Sequence, residues 1–410
     1  MARDAAIFDL DRTLIAGSSS LVVQRHLEEA QIATARNIPF ADSLASFYEK
    51  FGENWLMMQP ARFAARAALG WDVDAVDKAC AAAADELVGQ LQPFARQVID
   101  DHRDAGRLLM LATTTPEPFV RPLMEALEFD ALVCTRWESE NGSYTGELDG
   151  PFVWGRTKAE AVEAWAEDNG VNLADSYAYS DSYFDGPLLD LVGNPVAVNP
   201  DPQLTATALL NGWPIRHLDK SEGVAKLLGR ELQDWGRPFM RPELVAPNVD
   251  LRISGADNIP SEGPALVVFN HRSYFDPTVM GLVIAKAGRS IRGLGKKEVF
   301  DVPIVGRFLK AVGGVRVERA SGSNEPLEKA AAALEGGECV MMAPQGTIPR
   351  GPAFFDPVLK GRWGAAKLAA QTGAPVVPVG LWGTEKVWPR SARIPRLSLT
   401  DRPIVTAVVG

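Results

Sequence analysis

Cysteine is scarce in this sequence. Among 410 residues there are three, Cys80, Cys134 and Cys339, far apart along the chain. This excludes a disulfide framework and any closely spaced cysteine zinc site, and it suits a reducing compartment. Histidine is nearly as rare, with four: His26, His102, His217 and His271. Long apolar runs are missing too. The best stretch, Pro277 to Ala285, falls short of the roughly 18–20 residues that a spanning helix needs. The opening residues, MARDAAIFDLDRT, lack the charged-then-apolar layout of a secretion signal. The chain is therefore expected to be cytoplasmic, peripheral on the inner face of the cell membrane rather than crossing it.

Basic residues are also in deficit, 42 Lys and Arg against 52 Asp and Glu, for a net charge of −10. The deficit is confined to one half. Residues 1–216 hold 16 basic and 33 acidic side chains; residues 217–410 hold 26 and 19. Two halves of opposite sign suggest two modules with different partners. The acidic half is a poor nucleic-acid binder, and no nucleic-acid partner is expected; the basic half suits phosphate, an acidic cofactor or an anionic membrane surface.

Short apolar runs flanked by polar turns read as buried parallel strands over Ala5–Leu10, Leu108–Thr113, Tyr177–Ser180 and Pro195–Val198. Between the first two lies a helical insertion, about residues 17–100, with helical spacing over Ser20–Gln31 and Val76–Leu91. Asp72-Val73-Asp74 reads as helix-start chemistry. Alternation over Val133–Leu148 around Asn141-Gly142 predicts a hairpin. A helix is expected over Lys158–Asn169, stopped by Gly170. In a connector over 217–248, Val224, Leu227, Leu228, Leu232 and Trp235 fall near one face of an amphipathic helix, broken at Pro238 and Pro242. A second α/β pattern follows over 249–410. Its strands are Ala265–Phe269, Gly314–Val317, Cys339–Ala343 and Val376–Leu381, and its helices Thr278–Ala287, Glu325–Leu334 and Trp363–Gln371. The expected fold class is α/β, with two domains, 1–216 and 249–410.

Chemistry concentrates at strand ends. Asp9-Leu10-Asp11-Arg12-Thr13 follows the first strand. Carboxylates at i and i+2 there share the cleft where parallel sheets bind ligands. One can attack phosphorus; the other can protonate the leaving oxygen and then activate water. Thr113, Lys158, Asp181 and Asp185 follow at later element ends, and the carboxylates of Asp9 and Asp181 suit Mg²⁺. The segments IFDLDRTL, LLMLATTTPE, GRTKAEAV and YAYSDSYFDGPLL resemble the haloacid-dehalogenase-like phosphatases of the phosphoserine-phosphatase-like branch. The resemblance covers about residues 4–215 and implies a Rossmann-like parallel sheet with a helical cap. It makes Asp9 the nucleophile and Asp11 the acid/base. It gives Thr13, Thr113 and Lys158 the phosphoryl group, and it groups Asp9, Asp11 (through its carbonyl), Asp181 and Asp185 around Mg²⁺. Thr113 stands in place of the commoner serine. The substrate is set by the cap and is not implied.

The second constellation is Phe269-Asn270-His271-Arg272-Ser273-Tyr274-Phe275-Asp276, directly after a strand. A turn can return Asp276 to the imidazole, fixing its tautomer and leaving the other nitrogen as a base for a hydroxyl. Gly313–Arg319 places Arg316 and Arg319 at a strand end, suited to phosphate. Pro344-Gln345-Gly346-Thr347 offers backbone N–H groups and a hydroxyl to an anion. With Val376–Val379 these resemble the ordered motifs of the glycerolipid acyltransferases, the lysophosphatidic-acid acyltransferase family. That resemblance implies a donor of acyl-CoA or acyl carrier protein, with His271 as base and Asp276 orienting it. Arg316, Arg319, Gln345, Gly346, Thr347 and Arg350 become candidates for holding the acceptor phosphate. Two departures stand out. The third motif usually reads Glu-Gly-Thr-Arg, whereas this chain has Gln345-Gly346-Thr347-Ile348, with its next basic residue at Arg350. The chain also stops at Val408-Val409-Gly410, where the family usually continues, which reads as a short or truncated domain.

The sequence thus predicts a bifunctional enzyme of phospholipid metabolism. An Mg²⁺-dependent aspartyl-phosphate phosphatase is joined to a 1-acyl-sn-glycerol-3-phosphate acyltransferase that takes a lysophospholipid from a membrane surface. The competing expectation is an acyltransferase for another polar-lipid acceptor, joined to a non-catalytic or regulatory first domain. Expected membrane contacts are Trp235, Phe239 and Met240, the set Phe354, Phe355, Trp363, Trp382 and Trp388, and the basic cluster Lys296, Lys297, Arg307 and Lys310.

Overall fold

The computed structural model describes residues 3–33, 64–227, 229–318, 324–356, 358, 360–396 and 402–410. The chain divides into two compact units, Met1–Asp219 and Lys220–Gly410.

The first unit is built on a six-stranded sheet. Its strands are β1 (Ala5–Phe8), β2 (Leu108–Pro116), β3 (Ala131–Thr135), β6 (Tyr177–Ser180), β7 (Asn194–Val198) and β8 (Ile215–Arg216), in the order β3-β2-β1-β6-β7-β8, all parallel. The alternating faces of a strand explain why β1 is apolar throughout. Ala6 and Phe8 enter one core with Leu111, Val120 and Tyr179; Ala5 and Ile7 enter the other with Met110, Val162 and Leu188. The expected hairpin exists, as β4 (Trp137–Glu140) and β5 (Ser143–Leu148). Both turn residues have positive φ, Asn141 at 51° and Gly142 at 78°, as a type I′ turn requires. The hairpin is shorter than expected, because Val133–Thr135 pair in parallel with β2 instead.

The helical insertion is present in Ser19–Glu29 and Val73–Gly89. The Asp72 carboxylate caps the second, accepting from the Ala75 N–H at 2.9 Å. Arg156–Asn169 forms the expected later helix, ended by Gly170 at φ 65°.

The second unit carries a seven-stranded sheet. Its strands are β11 (Asp250–Ser254), β12 (Ala265–Phe269), β13 (Ile291–Lys296), β14 (Val315–Val317), β15 (Cys339–Met342), β16 (Val376–Trp382) and β17 (Ile404–Val409). The order is β11-β17-β16-β12-β15-β13-β14, parallel except for the antiparallel pair β16–β17. Residues of β12 again serve two cores. Val267 packs with Val279, Val283 and Val379; Leu266 packs with Ala330, Leu334 and Leu368.

The amphipathic helix expected in the connector does not form. Lys226–Leu227 (β9) pairs antiparallel with Arg230–Glu231 (β10), and of the expected helix only its last part, Leu232–Gly236, is helical; Leu228 lies outside the described residues. Two causes are visible. Gly223 and Gly229 stand at φ 85° and 75°, where a right-handed helix cannot continue. Glu231 is also drawn inward, accepting two bonds from the buried Arg292 guanidinium at 2.8 and 2.9 Å. Glu338 accepts a third from Arg292 at 2.6 Å. A buried guanidinium demands such partners, because an unpaired buried charge costs several kcal/mol, about 3–5. No helix of the described residues is long and apolar enough to cross a membrane.

Candidate active sites

In the first unit the site residues gather at the carboxyl ends of β1, β2 and β6. The register aligns Phe8 with Leu111 and with Tyr179. Asp9, Thr113 and Asp181 therefore lie within two residues of one level, on strands about 4.8 Å apart. Lys158 ties the site together. Its side chain is fully buried, and Nζ donates to Asp9 Oδ1 and to Asp185 Oδ2, both at 2.9 Å. Ser180 Oγ donates to the same Asp185 oxygen at 2.7 Å, while Asp185 Oδ1 is buried without a partner. Thr13 is wholly buried; its hydroxyl donates to Asp181 Oδ1 at 3.2 Å and accepts the Asp181 N–H at 3.0 Å. Thr113 accepts the Thr115 N–H at 3.2 Å.

Asp11 faces the helical insertion. Its Oδ1 accepts the Ser19 N–H at 2.7 Å, and Thr115 Oγ1 donates to its Oδ2 at 3.4 Å. Burial raises its carboxyl above the usual carboxylate range, against the lowering effect of those bonds. Arg12, directly after Asp11, adopts φ 62° and sets Nε against Asp181 Oδ2 at 3.2 Å. Ser19, Thr115 and Ser180 were not picked out by sequence reasoning; a bare hydroxyl carries no spacing signal.

The donor chemistry fits Mg²⁺, a hard cation that takes one or two carboxylates and keeps several waters. Asp9 and Asp181 end neighbouring strands, and the orphaned Asp185 oxygen lies beside them. Among the described residues no three His, Cys, Asp or Glu converge into a metal-holding group of their own, so carbonyl, water or phosphate oxygens would complete the shell.

In the second unit a tight turn joins β12 to the helix Asp276–Lys286. Its centre is Asp276, fully buried at the helix start. Oδ2 takes His271 Nδ1 at 2.7 Å, the Arg272 N–H at 2.6 Å and the Ser273 N–H at 2.8 Å. Those donors fix the turn and assign Nδ1 as the protonated nitrogen. Nε2 has no hydrogen-bond partner among the described residues, and the ring is partly exposed. Gln345 Oε1 accepts the His271 N–H at 2.5 Å. Asn270 locks the strand end to β16 through two bonds with Leu381, 2.9 and 2.6 Å.

The other expected residues divide. Gln345 meets His271, and Gly346 supplies the left-handed turn at φ 66°. Thr347 Oγ1 accepts from Arg390 Nη1 at 3.3 Å. Arg350 is exposed and its side chain is not drawn to the dyad. Arg316 lies on β14, three strands from β12, paired with Asp301 at 3.1 Å on the surface. Arg319 lies outside the described residues. Sequence reasoning missed Arg272, whose guanidinium lies 4.5 Å from the Phe354 ring and 4.6 Å from that of Trp382. Phe355, whose ring meets that of Phe354, is 81% exposed, and Trp363 is 80% exposed.

Each unit is thus an α/β enzyme core with reactive side chains at the carboxyl edge of its sheet. Residues 6–190 match the family model for haloacid dehalogenase-like hydrolases, and residues 250–382 match that for acyltransferases. A Streptomyces azureus protein named for inhibition of morphological differentiation is 35% identical over 223 residues, 52% of this chain and 78% of that protein. A phosphoserine phosphatase of Mycobacterium tuberculosis is 34% identical over 226 residues, 54% of this chain and 73% of that one. A chloroplastic 1-acyl-sn-glycerol-3-phosphate acyltransferase of Arabidopsis thaliana is 31% identical over 154 residues, 35% of this chain and 39% of that one. The chain belongs to the haloacid dehalogenase-like hydrolases through its first unit and carries an acyltransferase domain in its second. It is an enzyme with a phosphatase-type and an acyltransferase domain.

Proposed function

We propose that the protein is a bifunctional enzyme of phospholipid metabolism that acylates a lysophosphatidate-like acceptor and hydrolyses a phosphomonoester. In the first unit Asp9 Oδ attacks phosphorus and forms an aspartyl phosphate, while Asp11 gives its proton to the departing alkoxide. Asp11 then takes a proton from the water that hydrolyses the acyl phosphate. Lys158, Thr13 and Thr113 hold the phosphoryl oxygens. Bound Mg²⁺, held by Asp9, Asp181 and the Asp11 carbonyl with Asp185 in support, supplies neutralisation of the phosphoryl charge. Burial shifts the Asp11 carboxyl upward, the direction that favours a proton donor.

In the second unit His271 Nε2 takes the proton of the acceptor hydroxyl. The oxygen attacks the thioester carbonyl of acyl-CoA or an acylated carrier protein. An ester forms, the C–S bond breaks, and the thiolate takes the proton from the imidazolium. Asp276 holds the ring and stabilises its charged form. The observation that carries this reading is the 2.7 Å contact of His271 Nδ1 with Asp276, with Nε2 left open. The acceptor class is suggested by the activity for which the Arabidopsis relative is named. Exposed Phe355, Trp363 and Trp382 support contact with an anionic membrane surface at the inner face of the cell membrane. Buried Ile348, in place of the family's arginine, favours a second reading in which the acceptor is another polar lipid, the reading that goes with a non-catalytic or regulatory first unit. An acceptor panel with acyl-CoA and purified protein decides: phosphatidate from lysophosphatidate supports the first reading, and acylation of phosphate-free lipids alone replaces it.

A further inference from the structure

The geometry points to Arg390 as the residue that binds the anionic group of the acyl acceptor, in the place the third motif leaves without a guanidinium. The inference rests on the acyltransferase reading above. Ile348 is buried at the arginine's usual position and donates nothing from its side chain. Arg390, 42 positions later, reaches back to that loop. Its Nη1 donates to Thr347 Oγ1 at 3.3 Å and to the Ile348 carbonyl.

The segment that carries it is anchored at the reactive turn. The Trp388 carbonyl accepts the Tyr274 N–H at 3.2 Å, between His271 and Asp276. The loop it reaches is anchored there too, through Gln345 Oε1 on the His271 N–H. The segment before Arg390 and the loop it reaches are therefore both bonded to the 271–274 turn that carries the base. A second guanidinium lies against that loop: a Cβ on Gly346 would meet Arg362 Cδ and Nε at 3.5 Å and Cζ at 3.8 Å.

The arginines around the turn differ in commitment. Arg272 pairs with Glu385 at 3.4 Å and is sandwiched between Phe354 and Trp382. Among the described residues, neither Arg390 nor Arg362 has a carboxylate partner. Arg390 keeps Nε and both protons of Nη2 uncommitted there, a planar pair of donors that matches two oxygens of a phosphomonoester. A residue that only braced the loop would need Nη1 alone. The ligand class that fits is an acceptor carrying a phosphomonoester close to its free hydroxyl.

The test is steady-state kinetics of the full chain with acyl-CoA and two acceptors, lysophosphatidate and 1-acylglycerol. Arg390→Ala is expected to raise KM for lysophosphatidate by about tenfold to a hundredfold. KM for acyl-CoA and turnover of 1-acylglycerol should hold, and Arg390→Lys should recover part of the loss. Melting curves first establish that each variant is folded, and the lysine variant alone is used where the alanine variant is not. An unchanged KM for lysophosphatidate, or an equal loss with both acceptors in a folded variant, overturns the assignment. If the wild type does not acylate lysophosphatidate at all, the acceptor reading fails separately. Equilibrium dialysis of sn-glycerol 3-phosphate against the Asp9→Asn chain then decides for Arg390: losing one of two bound equivalents on Arg390→Ala sustains the anion site, and an equal count in both overturns it.

Discussion

The two reactive centres sit at the same place in their sheets but carry charge in opposite ways. In the first unit the charges are buried and mutually paired. Lys158 is sealed between Asp9 and Asp185, and Asp181 is held by Thr13 and Arg12. In the second unit the base is partly exposed, the buried carboxylate beside it is Asp276, and the guanidinium of Arg390 reaches the neighbouring loop from a later segment. The difference suits the proposed ligands. A small phosphoryl group must meet fixed dipoles at the moment its charge redistributes, so preorganisation belongs inside the fold. On the proposed function a lysolipid would enter with most of its bulk outside the site, so its recognition would belong at the rim, among exposed aromatic and basic side chains.

The comparison breaks most easily at its two reactive groups. Asp9→Asn should abolish phosphate release, by about a thousandfold or more, since removal of a covalent nucleophile leaves only residual binding catalysis. The same variant should leave acyl transfer intact. His271→Ala should lower acyl transfer by about a hundredfold to ten-thousandfold, the range for a lost general base, and leave phosphate release intact. Colorimetric phosphate and free-thiol assays read the two outcomes. Next comes Lys158→Met. It removes the cation that pairs two buried carboxylates, so the first unit should lose about 3–5 kcal/mol in chemical denaturation, whereas Arg390→Ala at the open rim of the second unit should cost under about 1 kcal/mol.

A pH titration sharpens the contrast further. His102 is buried beneath β1, with Nε2 on the Tyr179 hydroxyl at 2.6 Å, and burial with nearby Arg107 lowers its pKa to about 4. The folded unit holds this ring neutral, while the unfolded chain protonates it near 6.5. Its contribution is therefore full above about pH 6.5 and is lost as pH falls through that value towards 4. Acid unfolding followed on the first unit's transition should show this slope, and His102→Gln should flatten it. The smallest effect is expected at Gly142. Alanine at φ 78° should weaken the β4–β5 hairpin by about 1 kcal/mol, without touching either reaction.

Much of this organisation was legible because short-range patterns survive folding. The apolar runs before Asp9 and His271 became central strands, and residues directly after a strand stay at its carboxyl end whatever the rest does. The Asn141-Gly142 turn was legible because only a few residues accept its backbone. The connector was misread because helical spacing at Val224, Leu227 and Leu232 says nothing of the left-handed glycines at 223 and 229. Nor does it reveal that Glu231 would be captured by Arg292, 61 residues away. Strand β17 was missed; its register against β11 and β16 is tertiary information. Arg390 was invisible for the same reason, since nothing in its neighbourhood marks it until the fold brings it to Thr347. Arg316 was legible as a cation, but its place was not: strand order sets it on the sheet edge, three strands from β12.

The central claim is that one chain runs two separable reactions at two sites. Mass-spectrometric product analysis tests it directly, with acyl-CoA, lysophosphatidate and a generic phosphomonoester supplied to the wild type, Asp9→Asn and His271→Ala. The account predicts phosphatidate and free phosphate from the wild type, phosphatidate alone from Asp9→Asn, and free phosphate alone from His271→Ala. Loss of both products in either variant, or a wild type that releases no phosphate from any monoester, would contradict it.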